Sequence, residues 1–165
     1  THLETEFHIF IAEIFRLLET KKISTKNCLL DHACFRVETP QQYQDYKSKM
    51  ILIGDLLAES MVGGRKISNY KLFSPFEYDG RKLEVIELPH PKEKNDYVQG
   101  FEHVEFVIGE SFEDYANRHK ENQFDWGGTK KAVNADLKFR LNERLSVKFH
   151  HQSLEDVIKV ENKGL

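Results

Sequence analysis

His32, Glu87 and His103 are the residues whose types and settings could do chemistry in this sequence. In GFEHVEFVI, Gly100 to Ile108, side chains alternate as in a half-buried strand, yet His103 and Glu105 occupy the face that should be its concave or core face. CLLDHACFRVE, Cys28 to Glu38, is a second β-rich run with His32 near its start. In RKLEVIELPHP, Glu87 shares a face with Val85 and Leu83 by period two, and a carboxylate continuing an apolar stripe is costly unless it is paired or ligates a cation. Two imidazoles and one carboxylate form a ligand set suited to zinc, nickel, iron(II) or manganese(II). Open positions on such an ion let it polarise a carbonyl or lower the pKa of bound water. The ordinary alternative is structural: each histidine hydrogen-bonded within its strand, and Glu87 paired with Arg36, Arg81 or Lys148. No HxxxH or CxxC cluster decides between them.

These side chains must be positioned by elements that the patterning also predicts. Apolar residues from Leu3 to Leu18 recur at helical spacing, giving an amphipathic helix to about Thr20 that braces the rest of the chain. After the first strand, Thr39 caps a helix with Pro40 at its first position and Gln42 completing a capping-box pattern, running to about Met50. Turns at Gly63-Gly64 and Asp79-Gly80 then separate three strands, and Pro89 and Pro91 stop the last. The polar segment PHPKEKNDYVQ connects to a second unit of the same order. It holds a strand from Phe101, a helix from Ser111 to about Asn122, and an irregular piece or short strand over 124–134. Strands at 135–141 and 145–151 come next, and a closing helix runs from Leu154 to about Glu161. The expected architecture is α+β, a single domain over 1–165. Modules at about 28–91 and 100–152 each open on a histidine-bearing strand.

Composition narrows the function classes. With 24 Lys+Arg against 27 Asp+Glu and a net charge of -3, no basic block offers a footprint for nucleic acid. The longest apolar runs are broken by Gly and Asp and are too short to cross a bilayer, and no secretory signal is expected at the N-terminus. Cys28 and Cys34, six apart on one expected strand, lie roughly 20 Å apart at about 3.3 Å per residue and cannot bridge, which suits a cytoplasmic setting. His2, His8, His90 and His119 are expected at the surface.

LLDHACFRV, VIELPHP and GFEHVEFVI resemble the ligand-bearing strands of the vicinal oxygen chelate superfamily of glyoxalases, extradiol dioxygenases and epimerases. Over nearly its full length the chain is similar to the YecM family within it. The resemblance implies paired βαβββ modules forming a cupped mixed sheet around one divalent metal, with His32 from the first strand, Glu87 from the fourth and His103 from the fifth as ligands. At the fourth ligand position it departs: SVKFHH places Lys148 where family enzymes often carry glutamate, with His150 one step further on the same face. A protonated lysine has no lone pair to offer a cation. Three arrangements are open: His150 completes the set, Lys148 sits near a bound substrate anion, or Lys148 pairs with Glu87 and the cup holds no metal. Glu105 is a further ligand or orients an imidazole, Glu87 or Glu105 moves a proton, and Arg36 receives an anionic substrate group or neutralises a buried carboxylate.

The function implied is a divalent-metal protein acting as isomerase, lyase or dioxygenase on a small oxygen-bearing substrate. The competing one is a non-catalytic binding or sequestering module. Partners are then a small molecule, with no nucleic acid or membrane, in a monomer or homodimer.

Overall fold

The structure, a computed structural model, describes residues 1–163. It is α+β, with elements in the order α1 (His2–Thr20), β1 (Leu29–Arg36), α2 (Pro40–Met50), β2 (Gly54–Val62), β3 (Arg65–Tyr78), β4 (Arg81–Pro89), β5 (Gly100–Val107), α3 (Phe112–Arg118), β6 (Leu137–Arg140), β7 (Ser146–His150) and α4 (Leu154–Lys163). Two compact units emerge: His32–Glu102, and Thr1–Asp31 together with the chain from His103 onward.

In the unit His32–Glu102 the strands lie in the order β2-β3-β4-β1, with β1 parallel to β4 and the other neighbours antiparallel. Both predicted turns form. Gly63 and Gly64 have φ of 57° and 79°, and Asp79 and Gly80 have 47° and 74°, so each two-residue loop matches the right-handed twist of its strands. Thr39 accepts the Gln42 backbone N–H at 3.1 Å, and the Gln42 amide oxygen accepts the Glu38 N–H at 2.7 Å, closing the start of α2. The helix buries Tyr43, Tyr46 and Met50, with the Tyr46 ring 4.5 Å from that of Phe35.

Glu59 anchors the polar edge of this packing. Lys47 ion-pairs with it, the Ser68 hydroxyl donates to it at 2.8 Å and the Tyr43 hydroxyl at 3.0 Å. Those bonds, Lys47 first and Ser68 second, outweigh burial and pull the Glu59 carboxyl down from its ordinary 4.5 to about 2. A depressed carboxylate pKa contributes stability that is whole above about 4.5 and drains away as the pH falls toward about 2. The urea midpoint of the native chain should therefore fall on going from pH 6 to pH 3 by more than that of Glu59→Gln, and equal falls would contradict this.

The other unit lays out β5-β7-β6, with β5 parallel to β7 and β6 antiparallel to it. Val104, Phe106, Val147 and Phe149 fill one face. Phe106 and Phe149 stack at 5.8 Å, Tyr115 of α3 lies 4.4 Å from Phe149, and Phe15 of α1 meets Phe106 edge-on at 6.3 Å. Helix α1, capped by Thr1, buries Phe7, Phe10, Ile11, Ile14 and Leu18, which makes it part of this unit's core. Phe149 is fully buried, and Phe149→Ala should cost about 3–5 kcal/mol of unfolding free energy in a denaturant titration.

In chain order β1-α2-β2-β3-β4 is the expected βαβββ run, and β5-α3-β6-β7 repeats it with one strand reduced. The segment 124–134 pairs only through a single bridge, Asp125 to Lys138, before Gly127–Lys130 winds into a 3-10 turn. Two adjacent glycines give it neither the branched side chains nor the alternation a strand needs. Cys28 precedes β1 and is not on it, and the two cysteines form no disulfide with each other. Helix α3 stops at Arg118, short of Asn122, because His119 turns inward. Its Nδ1 donates to the Tyr115 carbonyl at 2.8 Å while Nε2 accepts the Ser24 N–H at 3.1 Å. Only 6% of His119 is exposed, which corrects the surface expectation. Among the described residues no helix is long and apolar enough to cross a membrane.

Candidate metal centre

Register decides which side chains of the second unit share a face. His103 lies opposite Ser146, Glu105 opposite Lys148 and Val107 opposite His150. Alternation then sets His103, Glu105, Lys148 and His150 together, against the phenylalanine-rich face behind them. His103, Glu105 and His150 are 2%, 4% and 0% exposed. Glu105 Oε1 is 3.3 Å from His103 Nε2 and 3.3 Å from Lys148 Nζ, and Glu105 Oε2 is 3.9 Å from His150 Nε2.

His150 is oriented from behind. Its Nδ1 lies 2.9 Å from the Asn134 side-chain oxygen, which can only accept, so Nδ1 carries the proton and Nε2 faces the site. That Nε2 is also 3.4 Å from Asp31 Oδ2, the oxygen that accepts the Leu154 N–H at 2.9 Å and so caps the start of α4. A cation shared by this nitrogen and the two carboxylates would satisfy three buried groups at once.

The unit His32–Glu102 carries a matching row. His32 lies opposite Val85 and Cys34 opposite Glu87, with Asn69 opposite Glu87 on the far side. His32 is buried, and the Cys34 thiol and the Glu87 carboxylate offer ligand atoms within 4.8 Å of one another. Two residues beyond Cys34, Arg36 donates from Nε and Nη2 to the two oxygens of Glu102, both at 3.0 Å. Its guanidinium lies 4.9 Å from the centre of the Tyr97 ring, whose hydroxyl accepts from Arg65 at 3.1 Å. Burial opposes the Arg36 charge, but Cys34, Glu102 and Glu87 more than offset it and hold the guanidinium above its ordinary range.

The sequence profile described as "YecM protein" matches residues 1–142. The chain belongs to the YecM family. An uncharacterized protein of Haemophilus influenzae is 30% identical over 122 residues, covering 72% of this chain and 64% of that one. Protein YecM of Escherichia coli is 32% identical over 78 residues, 47% of this chain and 42% of that one. The matched regions thus span less than two thirds of both relatives. A solved structure described as structural-genomics protein EC4020 superposes with a TM-score of 0.81 at 23% identity, over 97% of this chain and 91% of that one. Methylmalonyl-CoA epimerase of Streptomyces coelicolor, in complex with 2-nitronate-propionyl-CoA, reaches 0.51 at 13% identity, over 76% and 97%. This chain therefore shares its fold with protein EC4020 and with methylmalonyl-CoA epimerase.

The donor chemistry on this face fits a divalent metal. His103, Glu105, His150 and Asp31 offer borderline nitrogen and hard oxygen donors from buried positions, the mix that zinc, manganese and iron(II) accept. Lys148 competes with an ion, since its ammonium supplies Glu105 with a positive neighbour of its own.

Of the residues singled out in the sequence, the structure gathers His103, Glu105, Lys148 and His150 in one unit and sets His32, Arg36 and Glu87 on one face of the other. Lys148 takes Glu105 as a carboxylate partner, where sequence offered Glu87, and Arg36 takes Glu102. Asp31 and Asn134 join the site without a sequence expectation. Asp31 was legible as a carboxylate inside the apolar run LLDHACF. Asn134, at φ 48°, gives no sequence sign of reaching His150.

Proposed function

We propose that this YecM-family chain is a divalent-metal protein of the vicinal oxygen chelate type, with His103 and His150 as ligands in one unit and His32 and Glu87 as ligands in the other. Its chemistry is that of an isomerase, lyase or dioxygenase acting on a small oxygen-bearing substrate. The observation carrying this reading is the His150 imidazole, turned by Asn134 so that its Nε2 faces Asp31 and Glu105. A cation there would be shared by the imidazole and both carboxylates.

When bound, the ion supplies Lewis acidity toward two neighbouring substrate oxygens. Glu105 is the group that takes the substrate proton, being buried and within 3.3 Å of Lys148, whose ammonium balances its charge before the transfer. His103, 3.3 Å from the same carboxylate, keeps it oriented.

A second reading, a binding module without metal chemistry, draws on the Lys148–Glu105 pair, which neutralises the carboxylate with no ion present. Elemental analysis of the purified chain separates the two. The metal reading expects about one divalent ion per chain and a lower Tm after chelator treatment. Metal-free protein whose Tm ignores both chelator and added Mn(II) or Zn(II) supports the module.

A further inference from the structure

We infer that the unit His32–Glu102 holds a receptor for a small hydroxy-carboxylate, with Arg36 taking the carboxylate and Asn69 the hydroxyl, on the two strands flanking Glu87. The inference rests on the reading of Glu87 as a metal ligand and names the substrate class of that site.

Two unmet polar groups carry it. Asn69 is 5% exposed, and its side-chain oxygen has no hydrogen-bond partner among the described residues; the same is true of Nη1 of Arg36, whose side chain is 12% exposed. Buried polar atoms are nearly always satisfied, and each one left unmet costs on the order of the desolvation of that group. One of these is an acceptor and the other a donor, so a single ligand can satisfy both only if it brings an acceptor to Arg36 and a donor to Asn69.

Their placement defines the ligand. Asn69 on β3 and Cys34 on β1 both stand opposite Glu87 on β4, so the three side chains share one row and one face. Arg36 lies two residues along β1 from Cys34 on that same face, close enough to Glu87 for the two charges to interact. One edge of its guanidinium is spent on Glu102, and its ring neighbour Tyr97 is pinned by Arg65. The remaining edge is therefore held rigidly, and a carboxylate is the partner that such an edge pairs with best. The donor reaching Asn69 from the same small molecule is a hydroxyl. A ligand bearing only a carboxylate leaves Asn69 unmet, and a neutral diol leaves the Arg36 charge without its counterpart.

Glycolate and acetate are the probes, titrated by calorimetry into the full chain in Mn(II) and again after chelator treatment, with Mn(II) binding measured on the same preparation. Glycolate should bind about tenfold or more tighter than acetate. Asn69→Ala should bring glycolate down to the acetate level and leave acetate unchanged, and Arg36→Gln should weaken both by about tenfold or more. Glycolate and acetate binding alike, glycolate failing to bind, or both variants keeping native affinity overturns the inference. If Mn(II) binds and glycolate does not, the receptor fails and the metal reading stands. If Mn(II) does not bind, the metal reading fails, and Arg36-dependent glycolate binding to the metal-free chain still upholds the receptor.

Discussion

His103→Leu is expected to weaken Mn(II) or Zn(II) binding by at least about 100-fold, with the protein remaining folded. Losing groups that merely orient a ligand already costs roughly 10- to 100-fold in metal affinity, and losing the ligand itself costs no less. Leucine has a side-chain volume suited to this buried position, so the core can close around it, but it has no lone pair. Calorimetric titration gives the affinity, and circular dichroism checks the fold. A leucine variant that binds metal as the native chain does would remove His103 from the site.

Lys148→Glu has the second large effect, and its sign depends on metal. In chelator, a second carboxylate faces Glu105, whose Oε1 now has the Lys148 ammonium at 3.3 Å. Losing the partner of a buried charge costs about 3–5 kcal/mol, and Lys148 keeps 21% of its side chain exposed, which moves the expectation to the lower end of that range. In Mn(II) the new glutamate adds a hard oxygen donor beside Glu105, on the face that carries His103 and His150. Binding at 100 times the dissociation constant returns about 2.7 kcal/mol. Chemical unfolding with and without Mn(II) should show a large metal-dependent gain in the variant and a smaller one in the native chain. A variant whose stability ignores Mn(II) denies the cluster a cation.

Local signals made much of this legible. Alternation in GFEHVEFVI put His103 and Glu105 on one face, and the burial of both bears out that the face is internal. Turn dipeptides and the Thr39 cap marked element ends because each is a short-range backbone requirement. What sequence could not give was register between distant strands. Whether Lys148 meets Glu105 depends on how β5 and β7 align, and that is fixed by Phe106 and Phe149 stacking on the opposite face. Asp31 illustrates the same limit, since its value as the cap of α4 depends on a backbone amide 123 residues away. Over 124–134, where an irregular piece or a short strand was expected, the chain makes one bridge; the two glycines were visible in sequence but their 3-10 turn was not.

The most direct test is anomalous diffraction from crystals of the chain grown in Mn(II) or Zn(II). A strong peak roughly 2.0–2.2 Å from nitrogens of His103 and His150 is the predicted result. An absent peak, or one ligated by other residues while these two imidazoles point elsewhere, would contradict the metal centre.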